Sequence, residues 1–126
     1  MADATVTYPY VVKKEWGHEE ILTPYFKKMH LDRGAMCSLH RHAHKTEAFY
    51  LLEGIMMLEV QDRSIEPADV KLHKLLPGAC HELPAGTWHR FMGVSQCVFL
   101  EACTPKDDPS DCERLTHSIA APKVIP

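Results

Sequence analysis

From residue 26 onward the chain runs in short stretches of mixed apolar and polar residues, each closed by turn formers. The punctuation falls at Asp32-Arg33-Gly34, Glu53-Gly54, Gln61-Asp62-Arg63, Pro67-Ala68-Asp69, Leu76-Pro77-Gly78 and Pro84-Ala85-Gly86. Turns about eight to twelve residues apart predict an all-β sandwich or barrel. Residues 49–52 and 55–60 flank Glu53-Gly54 as the arms of a hairpin, and residues 94–102 read as a further buried strand. Residues 6–12 are β-rich but contain Pro9, which predicts an edge strand or arm. Trp16-Gly17-His18-Glu19-Glu20 reads as a turn into another strand. No stretch keeps a helical period for long. After Thr104 the chain turns polar, with Pro105, Asp107, Asp108, Pro109 and Asp111, and predicts a loop with little regular structure. These patterns set a barrel core at about 26–104, an N-terminal β arm at 1–25 and a polar tail at 105–126.

A chain of 126 residues fits one domain with one core. The formal charge is −3, and no basic cluster exceeds a lysine pair. Nucleic acid and anionic membranes are therefore not expected partners. No apolar run is long enough to span a bilayer. Residues 1–10 lack a basic start followed by an apolar stretch, so no secretory signal is read there. The five cysteines are odd in number and form no C-x-x-C, which fits reduced thiols and a cytoplasmic location.

Nine histidines change the picture, because of how some are spaced. Along a strand, residues two apart face the same way, so His40 and His42 present two imidazoles to one side. Glu47 is out of phase with them on one continuous strand. A loop at 43–46 would let Glu47 begin a second strand and point back at the pair. Pro84-Ala85-Gly86 launches a strand whose early inward residue is His89. Three imidazoles and a carboxylate suit Mn, Fe, Co, Ni or Zn, and leave positions open for a substrate. His44 offers an alternative pair with His42, and is placed behind the ligands or facing substrate.

These segments resemble the two cupin motifs. In the first, Gly34 is followed by His40-x-His42, Glu47 and Gly54 at the family's spacing. In the second, Gly78 is followed by Pro84-x-Gly86 and His89. The Asn that often closes the second motif is Gly93 here. The resemblance implies a single-domain jelly-roll barrel (a double-stranded β-helix) with one divalent transition metal held by His40, His42, Glu47 and His89. Ser38-Leu39-His40-x-His42-x-x-Lys45-x-Glu47 also resembles the sugar-isomerase branch, the phosphomannose isomerase and D-lyxose isomerase type. Lys14-Glu15-Trp16-Gly17-His18-Glu19-Glu20 and the segment 101–108 resemble that branch more weakly.

The resemblance implies aldose–ketose isomerisation or epimerisation of a small sugar or sugar derivative. A metal would act as Lewis acid and stabilise an enediolate, while an acid/base moves a proton between neighbouring carbons. Lys45, between His42 and Glu47, is a candidate if a cationic neighbour and burial lower its pKa. A solvated loop lysine is the alternative. Glu101 is the candidate carboxylate base. It shares a strand face with Cys97, Phe99 and Cys103, and alternation leaves its direction open because neither face is plainly polar. Asp107 and Asp108 read as a solvated loop. His44, Phe49 and Trp88 are candidates for the substrate pocket. Rival readings are an Fe(II)-dependent dioxygenase, a non-catalytic module binding a sugar or organic acid, and a lyase or epimerase of a carbohydrate acid. A homodimer through the N-terminal arm is expected.

Overall fold

The computed structural model describes residues 6–122; the outermost parts of the expected arm and tail, residues 1–5 and 123–126, lie outside them. The described chain is built from strands β1 (Tyr10–Lys14), β2 (Gly17–Thr23), β3 (Phe26–Leu31), β4 (His40–Arg41), β5 (Thr46–Glu53), β6 (Met56–Asp62), β7 (Asp69–Leu75), β8 (Cys80–Leu83), β9 (Trp88–Gly93), β10 (Cys97–Thr104) and β11 (Glu113–Arg114). One sheet has the order β1-β2-β3-β10-β5-β8, and the other β11-β4-β9-β6-β7. Every pairing is antiparallel. The two sheets enclose one core, the jelly-roll barrel expected from the motifs.

Alternation along the strands decides what lies inside. On β10, Cys97, Phe99, Glu101 and Cys103 are buried, while Val98, Leu100 and Ala102 are not. The open question of Glu101 is thus answered: it points inward with Phe99. Phe49, Phe91 and Phe99 form the centre of the core, with ring centroids 5.2 to 6.0 Å apart in tilted or edge-on pairs. Burying each such ring contributes about 1.5–3 kcal/mol. Leu31, Leu51, Met56 and Leu58 fill the space around them.

Two expectations are corrected. Residues 49–52 and 55–60 are not hairpin arms, because β5 pairs with β10 and β8 whereas β6 pairs with β7 and β9. Gly54 is a corner that passes the chain from one sheet to the other. Its φ is +89°, and a Cβ there would lie 2.2 Å from the Gln96 carbonyl oxygen, so both conformation and space require glycine. The tail is also more structured than its polarity predicts. Glu113 and Arg114 pair with Arg41 and His40. Met36 bridges Ile119, and Leu115 donates its N–H to Leu39. Side-chain polarity did not reveal this, because the contacts are mostly backbone hydrogen bonds.

Candidate metal centre

At one end of the barrel the inward positions change from apolar to ionisable. Lys27 precedes Met29 and Leu31 on β3, Glu47 precedes Phe49 and Leu51 on β5, His89 precedes Phe91 on β9, and Glu101 follows Phe99 on β10. All of these ionisable groups are buried. The loop between β4 and β5 separates the two strands, so Glu47 sits at the start of β5 and faces the histidines. His40 is the direct cross-strand partner of His89. His42 lies one residue beyond β4. The ring centroids of His40 lie 5.0 Å from His42 and 4.4 Å from His89. A ligand atom from each of the three histidines falls within 4.8 Å of the other two. Glu47 Oε1 is 3.3 Å from His42 Nε2 and 3.2 Å from His89 Nε2.

The hydrogen bonds at the far side of each ring settle its tautomer. Nδ1 of His40 donates to the Ser38 carbonyl at 2.7 Å, Nδ1 of His42 to the Asp111 carbonyl at 2.6 Å, and Nδ1 of His89 to the Thr87 carbonyl at 2.9 Å. A carbonyl only accepts, so each Nδ1 carries a proton and each ring turns its Nε2 inward. Burial, helped by the neighbouring His89, lowers the His40 pKa to about 3, which keeps that ring neutral. Nε2 of His89 and Oε1 of Glu47 are buried without a hydrogen-bond partner. Buried polar atoms left without a partner are costly. A cation between them removes that cost, so the donor set fits a divalent transition metal.

A charged network lies beside this centre. Lys45 Nζ is 2.7 Å from Asp107 Oδ1, 3.5 Å from Glu47 Oε2 and 3.8 Å from Glu101 Oε2. Lys27 Nζ is 3.0 Å from Asp107 Oδ2, 3.7 Å from Glu19 Oε1 and 3.9 Å from Glu101 Oε2. Four carboxyl groups thus surround two ammonium groups. Burial works against the Lys45 ammonium, but Glu101, Glu47 and Asp107 outweigh it and raise its pKa. The expected lowering is therefore corrected, because carboxylates rather than cations surround the amine. Burial and the Glu47 carboxylate push the Glu101 pKa well above the usual range, against the pull of Lys45 and Lys27. Burial also pushes the Cys37 thiol up to about 12, so this cavity thiol is not a ready nucleophile.

The centre opens into a cavity of about 640 Å³ lined by His40, His42, Lys45, Glu47, Phe49 and Glu101 among others. His44 and Trp88 do not line it. His44 is exposed in a shallow cleft beside Asp108 and Ser110. Trp88 precedes the inward His89, so alternation turns it to the outer face, where the Arg41 guanidinium lies 4.7 Å from its ring. Trp16 lines the cavity, edge-on to Phe91 at 5.0 Å. Sequence reasoning missed Lys27, although alternation with Met29 and Leu31 marks it as inward. It also missed Arg114, which lines the cavity and donates to Ser38 Oγ at 2.5 Å. Asp107, read as solvated, joins the two lysines.

A family model for the cupin domain matches residues 27–103. The chain belongs to the cupin family. No curated protein matches it. Among solved structures, this cupin is similar to the capsular polysaccharide assembling protein CapF from Staphylococcus aureus, with 17% identity and a TM-score of 0.71 over 87% of this chain and 35% of that one. It is also similar to an oxalate decarboxylase, with 18% identity and a TM-score of 0.72 over 86% of this chain and 30% of that one. This cupin therefore spans about a third of the length of either protein. At such identity the likeness concerns the fold. No helix among the described residues is long and apolar enough to cross a membrane.

Proposed function

We propose that this cupin is a metal-dependent enzyme that isomerises or epimerises a small sugar or sugar derivative, with His40, His42, Glu47 and His89 as ligands. The observation that carries the reading is the convergence of the His42 and His89 Nε2 atoms on the buried Glu47 Oε1, next to a second inward carboxyl, Glu101. A divalent metal bound there supplies Lewis acidity toward neighbouring substrate oxygens. Glu101 is the group positioned to take a proton from one carbon and return it to the next. Lys45 and Lys27, held as ammonium groups by their carboxylate partners, fix Glu101 and Asp107 in place. Phe49 and Trp16 supply apolar surface in the cavity for the carbon face of a sugar.

A second reading, a lyase or epimerase of a carbohydrate acid, is favoured by Arg114. Its guanidinium reaches the cavity through Ser38, beside His40, where it can receive a substrate carboxylate. The similar oxalate decarboxylase acts on a small acid, which agrees with this variant of the reading.

The test is proton exchange at C2 of pentoses, hexoses and their acids in deuterated water, run with metal-loaded and chelated protein. Metal-dependent exchange that disappears in Glu101→Gln supports the reading. Metal binding with no exchange on any of these compounds contradicts it and leaves a binding module or an oxygen-dependent enzyme. His42→Ala is expected to lose metal while keeping the barrel.

The expected homodimer is also part of this proposal. Among the described residues, strand β1 forms the outer edge of the larger sheet, with Val11 61% and Tyr10 44% exposed. An open edge carrying apolar side chains favours pairing with a second copy. Sedimentation should give a dimer, and a monomer at working concentration would remove this part.

A further inference from the structure

The outer face of the larger sheet carries a second cluster of metal-ligating groups, well separated in the fold from the barrel interior. His18 on β2 and His30 on β3 are direct cross-strand partners. On β2 the inward residues are Glu19 and Ile21, and on β3 they are Lys27, Met29 and Leu31. His18, Glu20 and His30 therefore project from the opposite face. The two imidazoles are stacked, 4.1 Å apart and 13° from parallel. Glu20 Oε1 lies 2.5 Å from His30 Nε2. One ligand atom from each of the three residues lies within 4.8 Å of the other two, and all three side chains are half-buried.

We propose that His18, Glu20 and His30 form a second, external site for a divalent metal of borderline softness, such as Zn²⁺, Ni²⁺ or Cu²⁺. Two imidazoles and one carboxylate are the ligand chemistry these ions take. Small side-chain rotations on a fixed two-stranded frame suffice to bring them onto one ion. The register pairing holds the two ring-bearing strands together, and Gly17 protects that register. A Cβ at Gly17 would collide with the His30 carbonyl oxygen, so only glycine fits at this position beside the cluster. Without metal, Glu20 and His30 satisfy each other through a hydrogen bond. With metal, the ion takes the place of the shared proton.

The surroundings set the limits of the site. Lys13 is the cross-strand partner of His18, and Lys28 that of Glu20. Both repel a cation, so binding is weaker than at a buried four-ligand centre. Three protein ligands at a half-exposed position leave coordination open to water or to a donor from another molecule. The ion would join β2 to β3, next to the edge strand β1.

The test uses the full chain, stripped of metal and titrated with Zn²⁺ by equilibrium dialysis, as wild type, His30→Gln and His42→Ala. His30→Gln keeps a polar side chain of similar reach, and far-UV circular dichroism checks that each variant is folded. The wild type is expected to bind two equivalents, with the weaker class lost in His30→Gln and retained in His42→Ala. In the wild type, Zn²⁺ should also shift the ring NMR signals of His18 and His30. A wild type that takes up Zn²⁺ without any change in those ring signals overturns the proposal. So does a folded His30→Gln variant with unchanged stoichiometry. Neither result depends on the interior centre, which the His42→Ala variant reports separately.

Discussion

His42 and Asp111 hold each other at both ends. The His42 ring donates from Nδ1 to the Asp111 carbonyl oxygen at 2.6 Å. The Asp111 carboxylate in turn accepts the backbone N–H groups of Ala43, His44 and Lys45 at 2.8, 3.1 and 3.2 Å. One tail residue thereby fixes the tautomer of one candidate ligand and the shape of the loop that leads to another, Glu47. Partners behind a metal ligand commonly change affinity strongly when removed.

Asp111→Ala should therefore weaken metal binding by about 10–100-fold. The backbone carbonyl survives this substitution, so the loss comes from the loosened 43–45 loop. Asp111→Asn, which keeps an acceptor oxygen, should fall between. Competition against a chromophoric chelator measures both variants, and an Asp111→Ala protein that binds like wild type would show that the loop holds its shape without the carboxylate.

Acid stability should carry the signature of Asp107. Burial raises its pKa, but the Lys45 hydrogen bond and the Lys27 charge outweigh burial and hold it below the ordinary 3.8. The folded protein then holds this proton less tightly than the unfolded chain, and unfolding in acid takes a proton up. The stabilisation is complete above the ordinary value and is lost as pH falls through the lower, folded one. Asp107→Asn should flatten the decline of stability below about pH 4 and cost about 1–3 kcal/mol at neutral pH. Urea unfolding of both proteins from pH 3 to 7 measures this, and parallel curves would argue against it.

Phe99 is 0% exposed and touches both other core phenylalanines. Phe99→Ala should cost about 3–5 kcal/mol, because the barrel cannot collapse onto the lost ring. Chemical denaturation reads the change. A loss under about 1 kcal/mol would mean that the interior repacks.

Much of the barrel was legible because turn residues recur between short strands and the histidines fall at fixed spacing. Pro84-Ala85-Gly86 gave the entry to β9, and the loop at 43–46 explained how Glu47 faces His40 and His42. What escaped depends on contacts between distant segments. Glu53-Gly54 has the local form of a hairpin turn, and only the pairing partners of β5 and β6 reveal a corner between sheets. Glu101 lies among apolar residues on both faces of β10, so alternation could not orient it. Asp107 read as solvated and Asp111 as part of a polar loop because their partners, Lys27, Lys45 and the 43–45 backbone, lie more than sixty residues away in sequence. Lys45 shows the same gap in electrostatic form. Glu47 is its one carboxylate nearby in sequence, and only the fold adds Glu101 and Asp107.

His40, His42, Glu47 and His89 are proposed to hold a transition metal. Anomalous X-ray diffraction from crystals of the metal-loaded protein, collected on both sides of the metal's absorption edge, tests it most directly. An edge-dependent peak is expected within bonding distance of all four side chains, and is expected to be absent in His42→Ala. Well-ordered crystals with full metal content but no peak among these residues would contradict it.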